Sequence, residues 1–313
     1  MRIAVVGAGA MGSIYAGLLA SAGNEVWAVD TSEEHVGAIR SHGLRITGAS
    51  GDRTVRIGAT TRAEEVGTVD LIVVATKAMD VEEAARAARV LLGPHTIVLP
   101  IQNGLGSSDT AAAVLGQERV LLGVAGGFGA SVVAPGVVHH EGMELIRFGE
   151  LHGPRTVRLE RVAESWRAAG FTVQTDDDID RLVWEKLICN VCFSGPCAVL
   201  DASIGEVMAD ANAWAVASGC AVEAYDVGRA LGVDLAFEDP VAHARAFGLR
   251  IPNAYPSLLL DLRAGRRTEI AFINGAIPPV GRTVGVATPA NETITALVNA
   301  LEARIAAGDV TGG

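Results

Sequence analysis

Cysteine is scarce. The 313-residue chain carries four, too few for the disulfide framework of a small secreted scaffold. Cys189 and Cys192 form a C-x-x-C with Cys197 close behind. No second ligand pair follows at zinc spacing, so no metal site is expected. A redox pair would open a helix just after a strand, whereas this one follows Trp184-Glu185-Lys186-Leu187-Ile188 inside a helical pattern. The thiols are read as buried and free, which suits a reducing cytoplasm. Basic residues are also in deficit, at 25 Lys and Arg against 36 Asp and Glu, for a net charge of −11. The pI is near 5.1 and no dense Lys/Arg run occurs. Broad nucleic-acid affinity rests on cations that neutralise phosphates, so a nucleic-acid partner is not expected. Charged residues make up only 19% and hydrophobic residues 50%, which argues against disorder. The apolar start, residues 3–6, is too short for a secretory signal and runs straight into glycines. The longest uncharged run, 120–138, could span a bilayer on length alone. It contains Gly123, Gly126, Gly127, Gly129, Pro135 and Gly136, and is read as a buried strand followed by a loop. No membrane partner is expected.

What is present is a regular alternation. At roughly 100–200 residues per domain the length suggests two domains. Compact Val/Ile/Leu-rich runs at 2–6, 25–29, 70–75, 96–100 and 120–124 are separated by helical patterns at 12–22, 32–42, 81–92 and 108–115. That order predicts βαβ units around a parallel sheet buried on both faces, an α/β, Rossmann-type doubly wound domain. Residues 44–46 and 54–57 predict a small inserted hairpin. A strand at 145–148, a helix at 157–169 and a strand at 171–174 follow. Beyond the acidic turn Thr175-Asp176-Asp177-Asp178 the pattern becomes helical, at 180–192, 211–231, 256–264, 268–284 and 291–307. The fourth must kink or break at Pro278-Pro279. The boundary is placed near 176: a dinucleotide-binding domain over 1–175 and an all-helical domain over 176–313, with a frayed tail at 309–313.

Gly7-Ala8-Gly9-Ala10-Met11-Gly12 matches G-x-G-x-x-G. A chain this rich in glycine yields roughly half such a match by chance, so position decides. The motif directly follows the first strand and opens the first helix. There the first glycine permits the turn, the second lets the backbone approach a pyrophosphate, and the third allows close packing. Asp30 ends the second strand 18 residues past Gly12, near the spacing at which an acid binds the adenosine ribose. A carboxylate there accepts hydroxyl hydrogens and repels a 2′-phosphate. Thr31-Ser32-Glu33-Glu34 offers no cation, and the nearest arginine downstream is Arg40. The pattern favours NAD(H). An N-cap role for Asp30 is the alternative, although Thr31 or Ser32 is better placed for it.

Further motifs follow in order: Thr76-Lys77 after the third major strand, Gln102-Asn103-Gly104-Leu105-Gly106 after the fourth, and Trp184-Glu185-Lys186-Leu187 with Asn190. Last comes Arg267-Thr268-Glu269-Ile270 with Asn274-Gly275. With the glycine turn, this ordered set resembles the ketopantoate reductase family, 2-dehydropantoate 2-reductases and their relatives, over essentially the whole chain. The resemblance implies hydride transfer between a nicotinamide cofactor and a 2-oxo acid, with Lys186 as proton donor. NADP(H) is the cofactor it implies as the alternative to NAD(H). It places Lys77 and Asn103 against the nicotinamide ribose or the substrate, Glu269 near both, and Gly129 against the cofactor. Asn190, Ser194, Asn253 and Ser257 become the substrate-binding candidates. Read without the resemblance, Lys186 is a solvated helix residue, Asn103-Gly104 a turn, and Glu269 an ion-pair partner of Arg266 or Arg267.

The substrate positions depart from that family's pattern. Ser194, Ile204 and Ala254 stand where its members commonly carry amides, and Asn253 lies one residue off register. A site without those amides grips hydroxyls less well, which points to a more apolar 2-oxo acid or a different ketone. Three readings follow: a ketopantoate reductase-like enzyme, an NAD-dependent D-2-hydroxy acid dehydrogenase of the mandelate type, and a non-catalytic dinucleotide sensor. A sensor has no use for a proton donor, and a methyltransferase leaves the lysine and asparagine motifs unexplained. A homodimer is possible, but no heptad or repeat specifies one.

Overall fold

The apolar runs of the first half become strands of a parallel sheet in a computed structural model of the chain, which describes residues 1–127, 129–142 and 145–308. The expected tail at 309–313 lies outside the described residues. Two units emerge: Met1–Gln102 with Ser107–Ile179, and Asn103–Gly106 with the chain from Asp180 onward.

In the first unit, β1 (Arg2–Val6), β2 (Glu25–Val29), β5 (Gly58–Thr60), β6 (Val69–Val74) and β7 (Leu92–Pro100) form the sheet, in the order β5-β2-β1-β6-β7. Ile3 aligns with Val26 and with Leu71, both neighbours parallel. Successive side chains point to opposite faces. Ile3, Val5, Leu71 and Val73 therefore join one core with α1 (Ala10–Ser21) and α2 (Glu33–His42). Ala4, Val6, Ile72 and Val74 join another with α3 (Val81–Ala88) and α4 (Ser107–Leu115). Burial on both faces is why these strands read as unbroken apolar runs. Each buried Val, Leu or Ile contributes about 1.5–3 kcal/mol. Two smaller sheets complete the unit. β3 (Leu44–Gly48), β4 (Arg53–Val55), β9 (Gly129–Ala134) and β10 (Val137–Gly142) run in the order β4-β3-β10-β9. β8 (Leu121–Gly126), β11 (Leu145–Glu150) and β12 (Val173–Thr175) run β12-β11-β8 beside α5 (Val157–Ala168).

Two expectations are corrected here. The run 120–138 is not a strand followed by a loop: its second half forms β9 and enters β10. β9 is an exposed edge strand paired only with β10, and without a buried face it has no periodicity to read. Nor does the strand at 120–124 extend the main sheet. β8 pairs antiparallel with β11, and a single bridge, Val98 to Val120, reaches β7. The fifth strand of the main sheet is β5, whose three residues are too few to show alternation.

The second unit has no strand among its described residues. It contains α6 (Ile179–Leu200), α7 (Ile204–Ala209), α8 (Ala211–Ala230), α9 (Pro240–Arg250), α10 (Ser257–Arg263), α11 (Ile277–Val284) and α12 (Pro289–Ala306). α6 was expected to stop near residue 192, but it continues through Pro196. A proline there forfeits one helix hydrogen bond and costs about 3 kcal/mol. Complete burial of Cys192 and Cys197, with Phe193 nearly so, offsets it. The same helix is long and apolar enough to cross a membrane on length and composition, yet 72% of that stretch is buried inside the protein. α7 and α9 are additional to the expected helices, and each carries a start signal. Ser203 and Glu206 make a reciprocal capping box, and Asp239 caps α9 ahead of Pro240. The helix expected at 268–284 is two 3-10 turns, Ile270–Phe272 and Asn274–Ala276, followed by α11. The expected interruption at Pro278-Pro279 is a break: both prolines sit in the first turn of α11, where the N–H groups have no intrahelical partner.

Candidate active site

In the first unit the glycine turn joins β1 to α1. Gly7 has φ +90°, and a Cβ on it would lie 2.5 Å from the Thr76 nitrogen. A Cβ on Gly12 would lie 2.0 Å from the Gly7 carbonyl oxygen. Packing within the protein thus demands these two glycines. Gly9 differs: a Cβ there would meet nothing within 4 Å. Gly9 caps α1 without a side chain, and no acid stands in the helix's first turn. The helix therefore presents its positive end to an open cradle, which fits an anion. Gly7→Ala is expected to destabilise the protein by at least about 2 kcal/mol, because strain at positive φ adds to overlap. Gly9→Ala is expected to leave the melting temperature nearly unchanged. Thermal melts of the two variants check the contrast, and equal losses would refute it.

Asp30 follows β2 and its Oδ1 accepts the Ser32 N–H at 2.9 Å. Ser32 is the residue that caps α2, accepting the His35 N–H at 3.2 Å. Arg40 is committed elsewhere: its Nε donates to the Ala59 carbonyl at 2.7 Å and Nη2 to Glu65 at 3.0 Å. Lys77 lies just past the carboxyl end of β6, partly buried, where a 3-10 turn begins. Beside it the Gln102 amide donates to the carbonyls of Val74 (2.8 Å) and Thr76 (3.1 Å), joining the ends of β6 and β7. Gly129 opens β9 instead, where a Cβ would abut Glu141.

In the second unit, Lys186, Asn190 and Ser194 recur every four residues along one face of α6. Lys186 Nζ donates to Asn103 Oδ1 at 2.7 Å. Asn103 is held there by the turn that follows it. Leu105 N–H donates to the Phe272 carbonyl at 2.9 Å. Gly104 has φ +83°, and a Cβ on it would lie 2.0 Å from that same oxygen. The Asn-Gly pair is thus both a turn and the device that presents the amide. Glu269 is buried at the start of the first 3-10 turn. Arg266, an expected partner for it, pairs with Asp261 at 2.9 Å. Burial pulls the Lys186 pKa down to about 8, and the Glu269 carboxylate works against that shift. Ser194 is buried and Asn190 half-buried. Ser257 is exposed at the start of α10, and Asn253 lies in an exposed turn. Ile204 and Ala254 meet through a backbone bond of 3.1 Å. Lys186, Asn103 and Glu269 are therefore gathered, and Asn253 stands at the surface. All four cysteines are free and buried. Burial pushes the thiols of Cys189, Cys197 and Cys220 up to about 12, which leaves them inert.

The family model described as ketopantoate reductase PanE/ApbA matches residues 3–153, and that of its C-terminal part matches 178–302. A 2-dehydropantoate 2-reductase from Streptococcus pyogenes serotype M6 is 31% identical over 304 residues, covering 97% of this chain and 98% of its own length. Among solved structures, a PanE/ApbA family ketopantoate reductase from Ralstonia eutropha JMP134 matches with a TM-score of 0.90 and 32% identity, over 98% of this chain and 100% of that one. D-mandelate dehydrogenase, in a ternary structure with NADH and anilino(oxo)acetate, matches with a TM-score of 0.91 and 30% identity, over 98% and 99%.

Proposed function

The chain belongs to the ketopantoate reductase family, nicotinamide-dependent oxidoreductases acting on a CH–OH group, and we propose that it interconverts 2-oxo and 2-hydroxy acids with NAD(H). The observation that carries the reading is the bond between Lys186 and Asn103 beside the buried Glu269. The cradle over Gly9 fits the cofactor's pyrophosphate, and Asp30 its adenosine ribose. When bound, the nicotinamide exchanges a hydride with the carbon that bears the oxygen. Lys186 Nζ supplies a proton to that oxygen as negative charge develops, general-acid assistance worth about 10²–10⁴-fold. Asn103 Oδ1 orients the ammonium, and Glu269 keeps it protonated at neutral pH against the effect of burial. In the opposite direction the neutral amine takes the hydroxyl proton. Asn190 and Ser194, on the Lys186 face of α6, and Ser257 are the candidates for holding the substrate's carboxylate.

A lysine with a pKa of about 8 makes the two directions respond oppositely to pH. Reduction needs the ammonium, so its kcat is expected to fall above about pH 8. Oxidation needs the amine, so its kcat is expected to rise through the same range. Profiles of kcat at saturating substrates check this, and a reductive kcat that climbs through pH 8 would exclude Lys186 as the acid.

A second reading, a D-2-hydroxy acid dehydrogenase of the mandelate type, is favoured by one feature. Ser194, Ile204 and Ala254 replace amides that would bind a hydroxylated substrate, and Ile204 is buried with its side chain beside Gly248. The deciding experiment is a panel of 2-oxo and 2-hydroxy acids, with ketopantoate and mandelate included, assayed with NAD(H) and NADP(H). Turnover of at least one acid is expected. Dinucleotide binding without turnover of any would favour the sensor instead.

A further inference from the structure

The glycine turn is braced from behind by a histidine. His35 lies in the first turn of α2 and is 6% exposed. Its Nδ1 accepts the Gly136 N–H at 3.1 Å. Its Nε2 lies 3.2 Å from Ser13 Oγ, and the Ser13 hydroxyl donates to the Ala8 carbonyl at 2.7 Å. The polarity of this chain is fixed at both ends, because a backbone N–H only donates and a carbonyl only accepts. The Ser13 hydrogen goes to Ala8, so Nε2 must carry the imidazole proton and Nδ1 must be bare. Only the neutral Nε2–H tautomer closes the chain. Gly136 is tied from its other side as well, since its carbonyl accepts the Arg45 N–H of β3 at 2.8 Å.

We propose that His35 is a positioning residue for the dinucleotide. Through Ser13 it fixes the Ala8 carbonyl, and with it the curvature of the turn that receives the pyrophosphate. The inference rests on the reading of that turn as a dinucleotide site. Protonation of His35 would set a second N–H against Gly136 and open the chain. Of the charged groups around the ring, the Asp30 carboxylate favours protonation, and Glu33 and Glu34 stand exposed on α2 itself. α1 carries no acidic or basic side chain, and Tyr15, its one phenol, is buried. β5 and β9 carry no ionisable side chain. On β10, His139 and His140 are bonded to Thr47 and Ser50, with Glu141 beside them. Burial outweighs both Asp30 and the ring's hydrogen bond to the Ala8 backbone, and holds the His35 pKa below its ordinary 6.5. The relay is therefore intact at neutral pH, and binding weakens as pH falls through that lowered pKa.

The test is isothermal titration of the full chain with NAD⁺, whose pyrophosphate does not titrate in this range, from pH 7.5 down to pH 5. NADP⁺ serves as a second probe at pH 7.5. The wild-type Kd for NAD⁺ is expected to rise as pH falls through the lowered His35 pKa, toward a limit about tenfold higher, the scale of one lost hydrogen bond in a buried network. His35→Ala and Ser13→Ala are each expected to raise Kd about tenfold at pH 7.5, with the loss falling on cofactor binding rather than on kcat. His35→Gln, whose amide nitrogen reaches the Nε2 position and does not titrate, restores the bond to Ser13 but not the one to Gly136; its Kd is expected to lie between those of wild type and His35→Ala and to lose the acid weakening. A pH-independent wild-type Kd would overturn the proposal while leaving the dinucleotide reading intact, and so would acid weakening that persists in Ser13→Ala or His35→Gln. Failure of both NAD⁺ and NADP⁺ to bind the wild type at pH 7.5 would overturn the dinucleotide reading itself, and this inference with it.

Discussion

Lys186→Ala is expected to lower kcat by a factor of about 100 or more while the dissociation constant for the cofactor stays near its wild-type value. The expectation follows from where the lysine's bonds go. Its Nζ is 2.7 Å from Asn103 Oδ1 and close enough to Glu269 to feel its charge. The glycine turn and Asp30, by contrast, belong to the other unit. Alanine removes the proton source and leaves unchanged the glycine turn and Asp30, the residues proposed to receive the pyrophosphate and the adenosine ribose. The loss should therefore appear in kcat and in kcat/KM alike, the signature of an interaction realised in the transition state. Thermal melts control for damage, since truncation leaves the Asn103 amide and the buried Glu269 without the ammonium. A folded variant that retains most of its turnover would remove Lys186 from the mechanism.

The expected lysine was legible only through resemblance, and the reason is physical. The bond between Lys186 and Asn103 joins residues 83 apart, and no periodicity encodes such a pairing. On α6 alone the lysine reads as an ordinary helix residue. Asn103 follows a strand of the first unit yet clusters with the second, which an Asn-Gly turn signal does not disclose. The glycine turn lies at the other extreme: a strand, three glycines and a helix must be contiguous for it to work, so it stands in the sequence complete. The main sheet was legible because burial on both faces writes continuous apolar runs. β5 was too short to write anything, and exposed β9 had no buried face to impose a pattern. α6 ran past Pro196 because burial at Cys192, Phe193 and Cys197 overrode a local breaker. His35 lay outside any motif, since a lone histidine near a helix start signals nothing until Ser13 and Gly136 are seen on either side of it.

Cofactor preference is the second large effect, and it turns on Asp30. Wild type is expected to prefer NADH over NADPH by about tenfold or more in kcat/KM. An ionised carboxylate near a 2′-phosphate forfeits one or two charge-assisted hydroxyl bonds, each worth about 1.5–3 kcal/mol, and adds repulsion. Asp30 spends Oδ1 on the Ser32 N–H at 2.9 Å, which fixes the direction of the carboxylate at the end of β2. Relief by a neighbouring cation is restricted. Arg40 is held by the Ala59 carbonyl and Glu65, and Arg62 is also paired with Glu65, at 3.3 Å. Asp30→Arg, or Asp30→Ser combined with Thr31→Arg, is expected to move the preference toward NADP(H), because a guanidinium grips a phosphate through two parallel bonds. Asp30→Arg also loses the bond to the Ser32 N–H. The double variant keeps an acceptor at that position in the serine hydroxyl, and so separates cofactor choice from loop damage. The measurement is kcat/KM with each cofactor at saturating acid substrate, for wild type and both variants. A wild-type preference for NADPH would mean that Asp30 turns away from the ribose. In that case neither substitution should shift the ratio by more than the scatter of the assay.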